Sequence, residues 1–581
     1  MTTISASRFA DIIAAARLKK TILSQSMESE RSEGGPTKHD SPNSPNSPNS
    51  GDGFIDTMRS VNQVNQDNLS VTDKYGHSIT YNNAQQAFID LASSGKSACL
   101  IGAAGTGKTT CMKGTVQALT QKSFTGILQN HDHKHLPHGV PGIVVCAYTR
   151  RATNNIRRNM DESMKANCLT IHKLLEYGPE YFSVIDDDGN ERTSMRFQPM
   201  RHQDNPLPSE ITTIIFEESS MIGTSLYNEV INALSHPVQI IFLGDIQQLP
   251  PVFGPAVLGF KLSELPTIEL TEVYRQALES PIIRLAHRIL SGKPIPPAEL
   301  SSWNVPGLQI TPWKKKIEAE NALTVTEKLF TRLYDEGKYD PENDIILIPF
   351  NKSYGTTEIN KTIANELAKR SDKVVWEVVS GFVKHYFSVG DKVLFDREDA
   401  IILDIYPNPS YTGVPPQRES TYLDYWGHTH APKSVNLGES DSESSESDID
   451  FILGQVAGGD EDRVTQSSHH IKLRMMDSDS EKTITKAAEV NVLILGYALT
   501  VHKSQGSEWE KVFLLFHNSH ATMMQRELLY TAVTRAKKDL FIICEPDTFT
   551  SAVKSQRIKG NTLLEKAEYF KGKLERGDLQ T

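Results

Sequence analysis

The amino-acid sequence predicts an α/β protein with two lobes, each a mostly parallel β-sheet covered by helices. Short β-rich runs alternate with longer amphipathic stretches, and each run ends in a loop rich in polar residues or glycine. This alternation occurs in two separate sets of runs, which is why two lobes are expected. The runs are Ala98–Ile101, Ile143–Ala147, Ile211–Phe216 and Val238–Leu243 in the first set, and Ile345–Ile348, Val492–Leu495, Val512–Phe516 and Leu540–Cys544 in the second. In sheets of this kind, ligands bind beside the carboxyl ends of the strands.

The composition is that of a globular chain with a sizeable core. Of the 581 residues, 38% are hydrophobic and 23% are charged. No run of about 18 apolar residues is present, so no membrane partner is expected. The five cysteines form no CxxC pair, which favours an intracellular, reducing compartment over a disulfide framework. The net charge is −11, but nine acids lie in Ser434–Asp462 without any Lys or Arg, so the total does not exclude a basic groove elsewhere.

The N-terminal region is predicted to be a disordered tail at 1–75. Residues 41–50 read SPNSPNSPNS, a repeat of turn-forming residues that cannot build a core. Within the tail, Ser7–Leu23 favours a short basic helix, for which a transit peptide, a partner-binding helix and a frayed, solvated helix are alternatives. The solvated helix is preferred. The first lobe is then expected at 76–275 and the second at 276–575.

Two insertions are expected to interrupt the lobes. The run Tyr181–Phe197 has two β-prone halves around Asp187-Asp188-Gly189-Asn190, which predicts a hairpin within an insertion at about 176–206. A second insertion, at about 389–486, opens with Val389–Phe395, a run typical of the first strand of a small β-barrel. It contains the acidic segment 434–462, which is predicted to be a disordered loop.

The strongest single signal is a full match to the phosphate-binding loop GxxxxGK[ST]. The match reads Gly102-Ala103-Ala104-Gly105-Thr106-Gly107-Lys108-Thr109. It follows an apolar run and precedes the helix-like run Thr110–Thr120, which is the context that the motif requires. Glycines let backbone N–H groups turn towards phosphate oxygens, and the helix N-terminus adds partial positive charge. Lys108 is expected to reach the outer phosphates and Thr109 to ligate Mg²⁺, while Thr110 completes the predicted nucleotide site.

Two further strand ends carry groups suited to phosphate chemistry. Glu217 and Glu218 follow the run Ile211–Phe216, and acids at such a position can hold Mg²⁺ and orient an attacking water. Asp245 and Gln248 follow the next run and are placed to sense a γ-phosphate. Without the phosphate-binding loop, a solvated strand end would be preferred for the first pair, and a turn would explain the second.

Arginines form the remaining part of the predicted nucleotide site. Arg275 and Arg535 are candidates to reach the transferring phosphate, because a guanidinium stays charged and binds phosphate in a fork. Without further context, each is more often a surface or ion-pair arginine.

A histidine-rich loop is the other constellation that could bind a ligand. It holds His131, His133, His135 and His138 between Pro and Gly residues. A Zn²⁺ site and a solvated loop are alternatives, and the loop is preferred because the spacing matches no structural zinc module.

Taken in order, the segments resemble superfamily 1 helicases, and specifically the branch that contains RecD and the bacteriophage Dda helicase. The resemblance covers about residues 78–550. It comprises Gln85, the phosphate-binding loop, Tyr148–Thr153, Thr170–Lys173, Glu217-Glu218, Gly244–Gln248, Arg275, Thr500–Ser507 and Val533–Arg535. The ordered set is far more specific than any one segment.

The resemblance implies two RecA-like lobes with ATP between them and a role for each motif residue. Gln85 would read the adenine, Glu217 would hold the metal and Glu218 would activate water. Gln248 would couple the γ-phosphate to the nucleic-acid track, and Arg275 and Arg535 would stabilise transition-state charge from the second lobe. The residues expected on the track, which would bind phosphates and sugars, are Thr149, Arg150, Thr170, His172, Thr500, His502, Lys503 and Gln505.

The resemblance also implies the kind of motor. The hairpin falls where the branch carries its strand-splitting pin, and the second insertion falls where it carries an SH3-like module, which favours 5′-to-3′ movement on DNA. Expected partners are single-stranded DNA, duplex junctions and a single-strand-binding or replication protein, with the chain acting as a monomer. The expected location is the cytoplasm of a bacterial or phage-infected cell, in DNA replication, recombination or repair.

Two departures and two rival functions stay open. The family usually has Asp-Glu where this chain has Glu217-Glu218. The acidic segment is also unusual for the family. A DNA mimic, a site for a basic partner and a solvated spacer are alternatives for it, and the spacer is preferred. An RNA helicase, or a translocase that only displaces bound proteins, is one rival. A nucleotide-binding switch is the other, and it is disfavoured because Asn351-Lys352-Ser353-Tyr354 lacks the Asp of a guanine reader.

Overall fold

The computed structural model describes most of the chain beyond the N-terminal region. The described residues are 71–72, 78–185, 191–251, 255–313, 318–351, 354–381, 383–395, 398–411, 419–420, 424–426, 466–476 and 480–575. They lie in one compact unit, Gln66–Thr581. Apart from Val71–Thr72, the predicted tail lies outside these ranges, as do the helix at Ser7–Leu23 and the acidic segment. Within these ranges, every helix is too short or too polar to cross a membrane.

The first lobe contains the elements up to Leu270. Its strands are β1 (Val71–Thr72), β2 (Ser78–Ile79), β3 (Ala98–Gly102), β4 (Ile143–Ala147), β5 (Cys168–Thr170), β6 (Gly178–Ile185), β7 (Glu191–Gln198), β8 (Thr213–Phe216), β9 (Gln239–Gly244) and β10 (Thr267–Leu270). Its helices are α1 (Asn83–Ser93), α2 (Lys108–Thr120), α3 (Arg150–Asn159), α4 (Glu162–Lys165), α5 (Ile171–Leu174), α6 (Thr224–Asn232) and α7 (Val257–Glu264), with a 3₁₀ turn at Ser219–Met221.

The sheet of the first lobe is parallel and covered on both faces. Its strand order is β10-β3-β9-β8-β4-β5, and every neighbouring pair is parallel. Successive side chains of β3 enter different cores: Cys99 packs with Phe216 and Phe242, whereas Leu100 packs with Val116. Burial on both faces explains why these strands read as continuous apolar runs. The carboxyl ends of β3, β8 and β9 therefore meet at one edge.

A hairpin leaves this lobe after α5. Strands β6 and β7 pair antiparallel over their full length, from Gly178 opposite Gln198 to Ile185 opposite Glu191. The turn predicted at Asp187–Asn190 lies outside the described residues.

The second lobe and its insertion contain the elements after Leu270. The strands are β11 (Leu308–Pro312), β12 (Ile345–Ile348), β13 (Val375–Ser380), β14 (Val383–Ser388), β15 (Lys392–Phe395), β16 (Glu398–Pro407), β17 (Glu419–Ser420), β18 (Gln466–Met475), β19 (Ser480–Lys486), β20 (Ile494–Leu495), β21 (Ala498–Thr500), β22 (Trp509–Phe516) and β23 (Ala536–Cys544). The helices are α8 (Arg275–Glu279), α9 (Pro281–Leu290), α10 (Pro297–Leu300), α11 (Ala319–Asp335), α12 (Thr356–Ser371), α13 (Ala487–Asn491), α14 (Arg526–Val533), α15 (Pro546–Lys554) and α16 (Leu563–Glu575), with 3₁₀ turns at Ser301–Trp303 and Asn518–His520.

The second parallel sheet has the strand order β11-β23-β22-β12-β21. One expectation for this sheet was wrong, because the run Val492–Leu495 does not form one of its strands. Ile494–Leu495 pairs antiparallel with β15 of the insertion, and Ala498–Thr500 is the parallel strand beside β12. Gly496 separates the two, and a Cβ there would lie 3.0 Å from the backbone of Val393, so the chain needs glycine to change sheets.

The insertion is antiparallel throughout its described residues. One sheet has the order β14-β13-β17 and the other β19-β18-β16-β15-β20. The first hairpin, β13–β14, begins at Val375, so this antiparallel region starts earlier than the predicted residue 389.

The C-terminal helix α16 crosses back to the first lobe. Ile558 and Phe570 are buried in the same core as Phe242 and Phe260. The predicted lobe boundaries remain a prediction, but this crossing is a feature that they do not contain.

Candidate functional site

The phosphate-binding loop lies where β3 ends and α2 begins. Gly105 and Gly107 have φ angles of 80° and 83°, in the left-handed region that favours glycine. A Cβ on Gly107 would also lie 2.7 Å from both the Gln85 amide nitrogen and the Tyr274 ring. The loop therefore needs glycine both for its turn and for its close packing, as the motif requires.

The polar side chains of this loop donate hydrogen bonds to backbone carbonyls of the loop itself. Lys108 Nζ donates to the carbonyls of Gly102 (2.6 Å) and Ala103 (3.2 Å), and the Thr106 hydroxyl donates to the Ala103 carbonyl (2.8 Å). Thr109 is exposed at the start of α2. These donors fit a triphosphate, because phosphate oxygens would replace neutral carbonyls with charge-assisted acceptors.

Gln85 and Tyr274 form a pair beside the loop. Gln85 is fully buried, donates to the Gly107 carbonyl (3.3 Å) and accepts from the Tyr274 hydroxyl (2.5 Å). Gln85 also closes a capping box with Asn82 at the start of α1. Tyr274 is 40% exposed, and whether Gln85 reads a base beside it stays a prediction. The sequence reasoning missed Tyr274, although its position directly before Arg275 was a signal.

Glu217 and Glu218 lie at the end of β8, and the backbone is strained there. Glu218 has a φ of 50°, which is unusual for a residue other than glycine and is typical of functional sites. The next residues turn towards β9, because the Ser219 hydroxyl donates to the Leu243 carbonyl (2.7 Å). The buried Ser220 hydroxyl has no hydrogen-bond partner among the described residues.

Burial raises the pKa of both carboxyls. Burial and the neighbouring charge of Glu218 raise the pKa of Glu217 to about 8, against the opposing effect of Lys108. Burial also raises the pKa of Glu218, which Arg535 and Lys108 oppose. Two half-buried acids beside a partnerless hydroxyl fit a divalent cation, which would neutralise the excess negative charge.

The segment Gly244–Leu249, here called the sensor loop, follows β9. Gln248 is 6% exposed, and its Oε1 has no hydrogen-bond partner among the described residues. Such a group costs free energy unless a ligand or water satisfies it. Asp245 accepts hydrogen bonds from the Gln247 N–H (2.9 Å) and from the hydroxyl of Tyr530 (2.6 Å).

The second lobe reaches the site through helix α14 and the residues after it. The Tyr530 hydroxyl accepts a hydrogen bond from the Ala104 N–H (2.7 Å), and the Thr531 hydroxyl accepts one from the Leu249 N–H (3.0 Å). Arg535 is buried and donates to the carbonyls of Thr531 (3.0 Å) and Ser507 (3.1 Å). Two of these contacts thus join the phosphate-binding loop and the sensor loop to one helix.

Most of the predicted nucleotide residues therefore meet in one cleft. Lys108, Glu217, Glu218 and Arg535 are close enough for their charges to influence one another. Arg275 begins α8 after Tyr274, but its side chain is outside the described set, so its role stays a prediction. His287 was missed: its Nε2 lies 3.3 Å from the Ala104 carbonyl.

The threonines predicted to hold nucleic acid cap local turns. Thr149 accepts a hydrogen bond from the Ala152 N–H (3.1 Å), Thr170 from the Lys173 N–H (3.2 Å) and Thr500 from the Lys503 N–H (3.2 Å). Thr149 and Thr170 are the N-caps of α3 and α5, and Thr500 begins the turn after β21. These local roles are a sufficient structural reason for threonine. Whether these hydroxyls also bind a strand stays a prediction.

Arg150 lines a cavity between the first lobe and the insertion. The cavity has a volume of about 180 Å³, and its lining residues are Arg150, Thr153, Asn154, Arg157, Thr170, Lys173 and Glu398. Three cations face it from α3 and from α5, and one carboxylate faces it from β16. A cavity of this charge suits a phosphodiester backbone.

The other track residues lie in different settings. The His172 ring contacts the rings of Tyr148 (5.8 Å) and Tyr177 (4.9 Å). His502 and Lys503 lie half-buried in the turn after β21. Gln505 is instead buried between the lobes, where it donates to the Leu249 carbonyl (2.9 Å).

Arg151, which the sequence analysis did not identify, contacts residues of two other regions of the molecule and so links them to α3. Its guanidinium forms an ion pair with Asp399 of the insertion, donates to the Ser507 hydroxyl (3.1 Å) and lies 5.1 Å from the Trp509 ring. Trp509 in turn donates to Asp399 (3.4 Å). The insertion is thereby fixed to α3, next to Arg150.

The histidine-rich loop is more ordered than expected. His133 is buried with its Nε2 2.8 Å from the Leu174 carbonyl, and burial lowers its pKa, while His131 stacks on His138 at 4.3 Å. In the ranges that the structure describes, no group of three or more His, Cys, Asp or Glu residues is arranged to hold a metal.

The fold and the cleft define a P-loop nucleoside triphosphatase core with two parallel sheets. Comparison with protein families agrees with this class. A family described as an AAA domain matches residues 80–302, and a family described as a UvrD-like helicase C-terminal domain matches residues 495–543. The first match covers the cleft residues of the first lobe, and the second covers the motif residues of the second lobe.

Individual relatives include a protein named as a DNA helicase and a RecBCD enzyme subunit. The chain is 27% identical over 422 residues to the ATP-dependent RecD2 DNA helicase of Deinococcus radiodurans, covering 72% of this chain and 45% of that protein. It is 21% identical over 434 residues to the RecBCD enzyme subunit RecD of Haemophilus influenzae, covering 69% of this chain and 62% of that protein. The chain thus spans about half the length of the RecD2 protein and under two thirds of this RecD.

A solved structure of Pif1 helicase from Bacteroides, in complex with ADP-AlF3 and single-stranded DNA, is also similar. Its TM-score is 0.43 at 15% identity, and the match covers 86% of this chain and 98% of that chain.

Proposed function

We propose that this chain is an ATP-dependent DNA helicase of superfamily 1 that translocates 5′-to-3′ along single-stranded DNA and unwinds duplexes. The observation that supports it most is the cleft, in which a phosphate-binding loop, paired acids and the buried oxygen of Gln248 face a helix from the other lobe. ATP hydrolysis would change the contacts of that helix with the loops of the first lobe, and so move the lobes relative to one another.

Within the cleft, Lys108 would bind the outer phosphates and Glu218 would orient and deprotonate the attacking water. Thr109 and Glu217 would hold Mg²⁺, which would supply charge neutralisation when bound. Arg535 would then stabilise negative charge on the transferring group, once its carbonyl partners give way to phosphate oxygens. Gln248 would gain a partner only when the terminal phosphate is present, which makes it suited to report nucleotide state.

Nucleic acid would run along the cavity lined by Arg150 and Lys173. Its contacts would be to phosphate, and they would therefore give affinity without sequence preference. The expected substrates are single strands and duplex junctions. A monomeric motor, an intracellular location, a single-strand-binding or replication protein as partner, and a place in replication, recombination or repair complete the proposal. Five buried thiols support a reducing environment.

The hairpin β6–β7 is proposed as the element that separates the strands. It is a regular antiparallel pair that leaves the first lobe directly after α5, which carries His172. The antiparallel insertion is proposed as an SH3-like module, fixed beside the track by the Arg151–Asp399 ion pair. If the hairpin is a pin, its shortening will lower unwinding more than ATP turnover; equal losses of both would make it a structural element only.

The decisive experiment is unwinding of a duplex with a single-stranded tail, either 5′ or 3′, with ATP and Mg²⁺. The proteins compared are the wild type, Glu218→Gln and Glu264→Gln, an exposed acid of the same lobe. The proposal expects unwinding only from the 5′ tail, loss in Glu218→Gln and normal activity in Glu264→Gln. Strand-stimulated ATP turnover without unwinding from either tail would replace the proposal with a translocase or an RNA motor, and the assay would move to RNA.

A further inference from the structure

The C-terminal helix α16 is held firmly against the first lobe. Phe570 is 5% exposed and packs edge-to-face on Phe260 of α7, with ring centroids 5.7 Å apart. A Cβ on Gly259 would lie 2.5 Å from the Phe570 ring, so the two helices approach as closely as glycine allows. The helix is thus an integral part of the first lobe, although it follows the second lobe in the chain.

One lysine on this helix contacts the sensor loop. Lys566 is 1% exposed, and its Nζ donates to the Gln247 side-chain oxygen (2.7 Å) and lies 3.5 Å from the Ile246 carbonyl. Burial lowers the pKa of Lys566, while the charges of Glu527 and Asp245 oppose that shift. An ammonium group is costly to bury, so packing alone does not explain a lysine at this position.

The segment that leads to α16 is anchored on helix α14. The Glu527 carboxylate accepts hydrogen bonds from the backbone N–H groups of Arg557 (3.2 Å) and Ile558 (3.1 Å). The Arg526 guanidinium donates to the Val553 carbonyl (2.8 Å) and to the Asn561 side chain (3.3 Å). These contacts fix the start of the segment to the second lobe.

Helix α14 also holds the other side of the sensor loop, through Tyr530 on Asp245 and Thr531 on Leu249. These contacts form a closed ring. It runs from the sensor loop to α14, from Glu527 of α14 to the segment at Arg557 and Ile558, along the chain to α16, and through Lys566 back to the sensor loop. A ring of this kind resists displacement of the loop relative to α14, because buried or partly buried hydrogen bonds join the sensor loop to α14, α14 to the segment before α16, and Lys566 to the sensor loop.

We propose that Lys566 is a positioning residue that holds the sensor loop in register with α14, and so sets how strongly single-stranded DNA stimulates ATP hydrolysis. The inference rests on the proposed helicase function. Lys566 acts through Gln247, whose neighbour Gln248 has a buried side-chain oxygen without a hydrogen-bond partner among the described residues. The hydrogen bonds of Lys566 are to the sensor loop. Its effect is therefore expected in turnover with DNA and much less in the KM for ATP.

The test compares full-length Lys566→Met, Lys566→Arg and Lys571→Met, the last being an exposed lysine of the same helix. A fourth variant, Phe570→Leu, weakens the packing of α16 but keeps the amine. Lys566→Met is expected to lower DNA-stimulated kcat about tenfold, with an unchanged KM for ATP, because a charge-assisted hydrogen bond is lost. Lys566→Arg should recover most of the loss, and Lys571→Met should behave as wild type.

Hydrogen exchange without nucleotide gives a readout that is independent of activity. The amides of Gln247, Gln248 and Leu249 should exchange about tenfold faster in Lys566→Met, and at the wild-type rate in Lys571→Met. Phe570→Leu should lower the melting temperature without changing these amides or kcat.

Three outcomes would overturn the inference. Unchanged kcat and exchange in Lys566→Met would remove it, as would parallel losses of stability and activity in Lys566→Met and Phe570→Leu, which indicate a purely structural lysine. A wild-type chain without strand-stimulated ATP turnover would reject the proposed function itself, and the exchange result would then show whether the ring exists without it.

Discussion

The two parallel sheets share an architecture, but the crevices at the ends of their strands are filled differently. In the first sheet, the strand ends lead into the phosphate-binding loop, the paired acids and the sensor loop. In the second sheet, aromatic and histidine rings occupy the corresponding edge: Trp313 follows β11, Tyr354 lies after β12 and His517 follows β22. The ring centroid of Trp313 lies 6.0 Å from the ring centroid of Tyr354 and 5.5 Å from that of His517.

The second crevice is closed by packing. Tyr354 is 3% exposed, its hydroxyl lies 2.6 Å from that of Thr326, and its ring stacks on His520 at 5.7 Å. The second lobe therefore contributes to the nucleotide site through α14 and through Gln505 in the turn after β21, and not through the ends of β11, β12 and β22. The comparison shows that the parallel sheet offers a position for a site, whereas the loops decide whether chemistry occurs there.

The largest effect is expected in the first crevice, from Lys108→Ala. The lysine is the cation of the phosphate-binding loop, and loss of such a group costs about 4 kcal/mol or roughly a thousandfold in ATP turnover. The melting temperature should not change, since Lys108 only bonds the exchangeable carbonyls of its own loop. Steady-state ATP turnover measures it, with exposed Lys122→Ala as the control. Near-normal turnover in Lys108→Ala would place the nucleotide site elsewhere.

The second crevice should make the free energy of unfolding depend on pH. His520 is neutral and satisfied: its Nδ1 accepts from the His517 N–H (3.2 Å), and its Nε2 lies 2.9 Å from the Tyr354 carbonyl. Burial lowers the pKa of His520 from 6.5 to about 4. Because the unfolded chain binds the proton more readily, the stability that neutral His520 contributes is full above pH 6.5 and is lost as the pH falls towards 4. The loss is about 2 kcal/mol at pH 5.

Urea unfolding at pH 7 and pH 5 tests this with His520→Gln, which cannot titrate. The variant should lose about 2 kcal/mol less than wild type between the two pH values. His202→Gln removes an exposed histidine and should follow the wild type. Equal acid sensitivity of wild type and His520→Gln would show that the second crevice opens to water.

Contact between the lobes is tested by Gln505→Ala, with a smaller expected effect. Gln505 donates a hydrogen bond to the carbonyl of Leu249, and Leu249 is the last residue of the sensor loop. Loss of this buried hydrogen bond should cost about 1.4 kcal/mol, or a tenfold fall in strand-stimulated turnover. Gln86→Ala is the control, because Gln86 on α1 is half-buried and its side chain donates to Asp90. If strand binding fell and turnover per bound strand did not, Gln505 would belong to the nucleic-acid track, as the sequence resemblance implied.

The sequence predicted the first crevice far better than its surroundings. Lys108 lies in a motif that is specific enough to be found by local pattern, whereas Glu217 and Gln248 were assigned from the order of the segments and from the family resemblance. Tyr530 and Arg151 contact partners 426 and 356 residues away, and no local pattern indicates such pairs. Their identification needed the tertiary structure.

The remaining differences have similar causes. Strand propensity identified Val492–Leu495 as β-rich but could not tell which sheet its residues would join, because both sheets accept the same apolar residues. The histidine-rich loop reads as polar, yet His133 is buried because the Leu174 carbonyl and the N–H groups of His135 and Leu136 satisfy its ring.

The smallest effect is expected where the insertion meets the first lobe, from Glu398→Gln. Glu398 is 8% exposed and lines the cavity that also contains Arg150, Arg157 and Lys173. A phosphate that enters this cavity meets a fixed negative charge, so removing the charge should tighten single-strand binding by about 1 kcal/mol, or fivefold. The dependence of log affinity on log salt should steepen by about 0.7, the value for one further effective cation on a single strand. Glu481→Gln removes an exposed acid from the same sheet, where it pairs with Lys472, and should leave both quantities unchanged. Weaker binding by Glu398→Gln would instead mean that the carboxylate holds the cations in place for the strand, and the insertion would then be a support of the track and not a competitor for it.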